Sequence, residues 1–358
     1  WIKSLKERVQ LQQEWDDEHL SVVRTKELIR AEIQKQKQNL IDLYTYQINE
    51  IDNAKLVGLF EPNPENAKAF SEKYGIKVYA SYSEMLEDPG IDAVCICTPS
   101  GFHAENALDA LNHSKHVVLE KPMTFTAEEA DKIIETCKKS KCILSVISQL
   151  RFSDDIRYVK KLVEENAFGT VSFCDLYMKY WRNEDYYSSS PWKGTLAMDG
   201  GGALMNQGIH GVDILLYIMG EAKLLHGKVK TMYHKIETED TAVALVEFKN
   251  GAMGVIEGST CSFPGYERKI EIMGSTGSVI IKENRIEKLV LNGETVIERT
   301  DEHDVKSASD PMAMSNIPHK KQISNFIGAI NGTEKLFIDA NEGKKAVSLI
   351  EKIYNFLA

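Results

Sequence analysis

From about residue 54 onward the chain runs through short apolar stretches alternating with amphipathic ones. Lys55–Phe60, Val78–Tyr79, Asp92–Cys97, Val117–Leu119 and Cys142–Val146 are brief, apolar and bounded by turn residues, which predicts buried strands. Between them, Glu65–Tyr74, Ser81–Leu86 and Phe102–Leu111 carry helical patterns. Pro64 stands at a helix start, and Thr126 with Glu129 three residues on forms a capping box for a further helix. This alternation predicts βαβ units and a parallel sheet. After Arg151 the rhythm changes. A helix over Asp154–Asn166 leads into alternating stretches at Val171–Trp181, Ala242–Phe248, Met253–Gly258, Lys269–Met273 and Ser278–Ile281. Turns are expected at Asn250-Gly251 and Ser275–Gly277, so this part reads as a mixed or antiparallel sheet. Two helices, Pro318–Ile330 and Asn341–Phe356, close the pattern.

The first fifty or so residues differ. No glycine or proline precedes Gly58, and strong helix formers dominate. Ile29, Ile33, Leu40 and Leu43 form a heptad-like stripe, with Gln36 and Gln47 on the same seam, which predicts one or two amphipathic helices packed on the rest of the chain or on a second subunit. The expected organisation is a helical segment over 1–53, an incomplete dinucleotide-binding domain over 54–150, and a substrate and oligomerisation domain over 151–358.

Composition narrows the partners. The net charge of −10 leaves no basic face for phosphate backbones, so nucleic acid is not expected. No apolar run approaches the ~20 residues that span a bilayer, and no secretory-signal pattern opens the chain. A cytoplasmic location is the expectation. The six cysteines lack a zinc-ligand spacing and read as reduced thiols, and no metal site is expected. His113 and His116 read as surface residues.

The candidate chemistry begins at Val117-Val118-Leu119-Glu120-Lys121-Pro122. Proline cannot extend a sheet ladder, so the strand stops and the backbone turns. Ligands of open α/β sheets sit beyond the carboxyl ends of the strands, where Glu120 and Lys121 would emerge. Around this stretch lie Thr98-Pro99-Ser100 and His103, Gln149-Leu150-Arg151-Phe152, and the run Asp199-Gly200-Gly201-Gly202-Ala203-Leu204-Met205-Asn206-Gln207-Gly208-Ile209-His210. In this order the series resembles the Gfo/Idh/MocA family of nicotinamide-dependent sugar and cyclitol dehydrogenases, from about Lys55 to the C-terminus.

The resemblance implies a hydride exchanged between NAD, rather than NADP, and a secondary alcohol of a sugar, cyclitol or nucleotide sugar. It also implies a homo-oligomer assembled through the sheet of the second domain. Lys121 matches the family's active-site lysine, followed by a cis proline. His210 matches its general base, expected to take a proton near neutral pH. Thr98, Pro99 and His103 match the cofactor side, and Glu120 would orient Lys121 or the cofactor amide. Glu61 ends the strand after which this fold places the acid that binds the adenosine ribose and repels a 2′-phosphate. Gln149, Arg151, Trp192, Lys193, Asn206 and Tyr266 are candidates for substrate contact. Many relatives carry Asp where this chain has Asn206, which can hydrogen-bond but cannot share a proton.

One departure is large. The G-x-G-x-x-G turn that seats a pyrophosphate belongs roughly 20 residues before the ribose acid, where this chain has no glycine. Losing the first strand would open the sheet at its centre. A non-catalytic binding or scaffold relative, or a defective fusion without cofactor binding, is therefore the alternative expectation.

Overall fold

The computed structural model describes residues 42–51, 53–299 and 317–356. Of the predicted heptad seam Leu43 and Gln47 lie within them, and Ile29, Ile33, Gln36 and Leu40 lie outside. Residues 42–49 form helix α1. Strand β1 (Gly58–Leu59) leads to helix α2 (Pro64–Tyr74), capped by the Asn63 side chain at its start and by Gly75, in the left-handed region, at its end. Strand β2 (Lys77–Val78), helix α3 (Tyr82–Glu87), strand β3 (Ala93–Ile96), helix α4 (His103–Asn112) and strand β4 (His116–Leu119) follow. Helix α5 (Ala127–Ser140) starts at the predicted Thr126–Glu129 capping box, with both of its hydrogen bonds formed. Strand β5 (Leu144–Val146) ends this part.

All strand pairing here is parallel, but it falls into two pieces, β1-β2 and β3-β4-β5. Among the described residues no strand joins β1 to β3, which is the opening the missing first strand implies. The consequences are local. Strand β1 is two residues long instead of the predicted six, because it has one ladder partner. Cys95 on β3 is exposed, although central strands of parallel sheets are normally covered. Successive side chains of β4 point to opposite faces. Val117 and Leu119 join the main core with α4 and α5, while Val118 packs with Tyr44 of α1 and with Ile323 and Phe326. His116, expected at the surface, is half-buried, and its Nδ1 accepts from the Ile143 N–H at 2.9 Å.

Helix α6 (Asp154–Glu164) opens the second part. Strand β6 (Val171–Lys179), short helices α7 (Glu184–Ser188) and α8 (Leu196–Asp199), and the apolar helix α9 (Ile209–Met219) come next. Strands β7 (Ala222–Lys230), β8 (Thr241–Phe248), β9 (Met253–Ser259), β10 (Lys269–Gly274), β11 (Gly277–Lys282), β12 (Arg285–Leu291) and β13 (Glu294–Glu298) complete an eight-stranded sheet in the order β13-β12-β11-β10-β6-β9-β8-β7. It is mixed, with β6 and β9 parallel and the other pairs antiparallel. Alternation on β8 buries Ala242, Ala244, Val246 and Phe248. Val243 and Leu245 face the other way, exposed together with Phe173 and Met253.

Helix α9 is buried on nearly every side, as its almost wholly apolar sequence requires. Helices α10 (Ile317–Ile330) and α11 (Ala340–Tyr354) close the fold. Helix α11 packs on α5, β5, α9 and β7, joining both sheets to one hydrophobic core. No described helix is long and apolar enough to cross a membrane.

Candidate active site

The site is built where β4 stops. Three residues of β4 are buried, Pro122 ends the ladder, and the Lys121–Pro122 peptide is cis. Lys121 is turned toward the second part of the fold, where its Nζ donates to the Asn206 carbonyl at 3.1 Å. Glu120 faces the other way. Its Oε1 accepts from the Tyr44 hydroxyl at 3.0 Å, and His319 Nε2 stands 3.8 Å off, beyond hydrogen-bond range. Burial opposes the charge on Glu120, but His319, Lys121 and Tyr44 outweigh it and hold the carboxyl at about 2.

His103 is held by backbone carbonyls. It is buried, and its ring nitrogens contact the Pro122 carbonyl at 2.7 Å and the Thr98 carbonyl at 2.9 Å. The ring ties the loop after β3, which carries Thr98 and Pro99, to the loop after β4.

The opposing wall comes from the glycine run. Helix α8 ends at Gly200, in the left-handed region, and a widened π-turn over Ala203–Gly208 precedes α9. The glycines are required by close approach. A Cβ at Gly202 would overlap the Glu239 carbonyl oxygen, and one at Gly201 the Tyr354 hydroxyl. The Glu239 carboxylate accepts from the N–H groups of Gly202 and Leu204 and from Tyr354, all at 2.8 Å. This clamp sets the start of α9 and with it His210.

Lys121 and His210 line one narrow crevice together with Met123, Ser148, Ile209 and Asp213. The sequence-based expectation of a histidine titrating near neutral pH is not what the structure gives. Burial, with the Lys121 and Arg268 charges adding to it, pushes His210 down to about 3, so the ring is neutral throughout the physiological range. Burial likewise lowers Lys121, against the pull of Glu120 and Asp199.

The other sequence candidates divide. Gln149 has a buried Oε1 with no hydrogen-bond partner among the described residues and lies outside the crevice lining. Lys193 lies over the Tyr186 ring at 4.1 Å and donates to Ser189 Oγ, and burial lowers it to about 8. The Trp192 carbonyl closes the same loop by accepting from Thr195. The Asn206 side-chain amide is committed to Asp199 Oδ1 at 2.7 Å.

Arg151 is held inside the protein. It is 1% exposed, and its guanidinium is held by Asp213 at 2.9 and 2.6 Å and by Glu342 at 2.7 Å. It stands behind Asp213 as part of a buried ion cluster, not as a substrate contact. Tyr266 is 60% exposed, lies outside the crevice lining, and uses its backbone N–H on Lys179. Asp199, Tyr186, Gln207 and Arg182 were not singled out by sequence. Arg182 donates from Nε and Nη2 to Gln207 Oε1, and Gln207 donates to the Tyr186 hydroxyl.

The described residues fit a nicotinamide dinucleotide at both ends and not in the middle. Glu61 follows β1, its Oε1 accepting from the Asn63 N–H at 3.0 Å, where a ribose acid belongs. Thr98, Pro99, Glu120 and Lys121 follow β3 and β4 at the same end of their sheet. Between β1 and β3, where a glycine turn would cradle the pyrophosphate, the described residues supply no such turn.

A parallel α/β domain whose strand ends carry these groups, facing a helix of a mixed-sheet domain across a Lys–His crevice, defines a two-domain nicotinamide-dependent oxidoreductase. The chain belongs to the Gfo/Idh/MocA family. Residues 39–148 match its "Oxidoreductase family, NAD-binding Rossmann fold" description, reaching back to include α1, and residues 156–280 match the "GFO/IDH/MocA C-terminal domain". The chain is 27% identical over 316 residues to myo-inositol 2-dehydrogenase of Thermotoga maritima, covering 86% of this chain and 90% of that one. It is 28% identical over 243 residues to scyllo-inositol 2-dehydrogenase (NAD(+)) of Bacillus subtilis, covering 65% and 68%. Among solved structures, the WlbA dehydrogenase from Bordetella pertussis in complex with NADH and UDP-GlcNAcA aligns with a TM-score of 0.79 at 29% identity, covering 88% of this chain and 92% of that one.

Proposed function

We propose that the protein interconverts a secondary alcohol and a ketone on a sugar, cyclitol or nucleotide sugar, using NAD. The observation that carries this reading is the convergence of Lys121 and His210 on one crevice. Bound NAD supplies the hydride acceptor. Glu61 would hold its adenosine ribose, and Thr98, Pro99 and Glu120 its nicotinamide end. The chain's own residues handle the oxygen and its proton. The Lys121 ammonium stabilises the charge that develops on the oxygen as the alcohol is oxidised. Neutral His210 accepts the hydroxyl hydrogen bond and fixes the oxygen. Since His210 is a weak base in this setting, the hydroxyl proton would pass to Lys121 in its neutral amine form, which burial favours, and the ammonium so formed is the one that faces the oxygen. Gln149, Lys193 and the Trp192 loop frame the remainder of the substrate.

The relatives supply the panel for a test: myo-inositol, scyllo-inositol and UDP-GlcNAcA, with NAD at saturating concentration and absorbance following NADH. One substrate is expected to turn over, more slowly with NADP, and Glu61→Ala should narrow that cofactor gap by removing the charge opposed to a 2′-phosphate. No reduction of NAD with any member of the panel would sink the reading.

We also propose that copies associate through the exposed face of the eight-stranded sheet, where Phe173, Val243, Leu245 and Met253 are 46%, 43%, 46% and 51% exposed. Apolar neighbours of this kind on one sheet face favour an interface. Sedimentation should find a dimer or larger species that Leu245→Glu dissociates. A monomeric parent protein would overturn this.

A further inference from the structure

Asp199 is an acid in an expensive place. It is 2% exposed, and its two oxygens are shared between two partners from different segments. Oδ2 accepts from the Gly194 N–H at 2.6 Å, in the Trp192–Thr195 loop. Oδ1 accepts from the Asn206 side-chain amide at 2.7 Å, in the π-turn before α9. Asn206 in turn presents its backbone carbonyl to Lys121 Nζ. One carboxylate therefore joins the substrate-side loop, the π-turn and the reactive lysine.

We propose that Asp199 is a positioning residue of the reaction centre, fixing through Asn206 the seat of Lys121 and supplying a counter-charge to its ammonium.

The two bonds alone do not account for a charge buried this deeply. A neutral amide could accept from Asn206 but not from the Gly194 N–H as well, and burying a carboxylate costs several kcal/mol unless a cation repays it. The cations are present. Lys121 approaches from the end of β4 and Lys193 from the loop before α8, and both favour the ionised form. Against them stand burial, which is the largest effect, and Glu239 from the loop before β8. The balance raises the Asp199 carboxyl to about 6. Tyr186, Tyr187 and Tyr354 complete the ionisable groups that feel its charge. Of the other acids near Lys121, Glu120 is already engaged by Tyr44 and drawn toward His319, and Asp213 is paired with Arg151. Asp199 is the acid on the substrate side. Asn206 itself cannot carry charge. Asp199, seven residues earlier, places a charge behind its amide.

The inference rests on the proposed reaction centre, and its test is chosen to need neither cofactor nor substrate, so a failed activity assay and a failed titration remain distinguishable. The full chain would be treated with acetic anhydride over a pH series and Lys121 acetylation measured by peptide mass spectrometry. The midpoint reports the lysine's ionisation. Asp199→Asn should lower it by about 1–3 pH units, the usual effect of an opposite charge at close range. Asn206→Ala, which keeps the carboxylate, should move it by less. An unchanged midpoint in folded Asp199→Asn overturns the proposal. If that variant does not fold, the reciprocal measurement decides. The Asn206 side-chain amide resonances of the parent should titrate near the Asp199 value of about 6 and move upward in Lys121→Met. No movement overturns the proposal as well.

Discussion

Lys121→Met is expected to reduce turnover by roughly 10²–10³-fold, the usual cost of losing a preorganised group that meets developing charge, while leaving NADH affinity within a few-fold of the parent. Methionine keeps most of the apolar stem and fills the space beside Met123 and Ile209, so packing is little changed. The loss is confined to the ammonium, its bond to the Asn206 carbonyl, and the proton it can exchange. Such a group acts in the transition state more than in the ground state, so kcat and kcat/KM should fall together with KM nearly constant. The measurement is steady-state kinetics on the substrate found by the panel, beside calorimetric NADH binding. Parallel losses in turnover and NADH affinity would instead make Lys121 a cofactor-binding or structural residue.

Much of this framework was legible because local chemistry and tertiary need agree. The β4 run is apolar on both faces and is followed by a proline, and Pro64 and Thr126 carry their helix-start signals in sequence. Strands β7, β12 and β13 were not legible. In β7 a register shift between Leu224 and His226 breaks the two-residue period. In β12 similar shifts occur on both ladders, and β13 is a largely exposed edge. At the site, the order of motifs led to Lys121 and His210, but not to what surrounds them. Arg151 reads as a ligand contact because its partners Asp213 and Glu342 lie 62 and 191 positions away. His103 reads as a cofactor residue because nothing local shows that two carbonyls occupy its ring. Asp199 stands beside the conspicuous glycines, yet its importance depends on the π-turn that brings Asn206 against it.

Cofactor affinity is expected to be far weaker than a complete dinucleotide-binding domain provides. A pyrophosphate is normally held by backbone N–H groups that glycine allows to come close, at the positive end of the following helix. Residues 1–57 contain no glycine, so a side chain would stand at every position of such a turn. Among the described residues the strand pairing is also interrupted between β1 and β3, where the turn would sit. Two lost hydrogen bonds to a charged group cost ~1.5–3 kcal/mol each, and the helix end adds up to ~2 kcal/mol. The sum, ~3–8 kcal/mol, is at least two factors of ten at ~1.4 kcal/mol each, enough to turn micromolar binding into millimolar. Glu61 at one end and the Thr98 and Glu120–Lys121 loops at the other cannot offset this, since they bind parts of the cofactor that an intact domain also binds. Calorimetric titration with NADH should therefore give a dissociation constant near the millimolar range. Glu61→Ala should weaken it further, because the ribose end then carries a larger share of what remains. A low-micromolar constant would refute the prediction and show that the chain seats the pyrophosphate without a glycine turn.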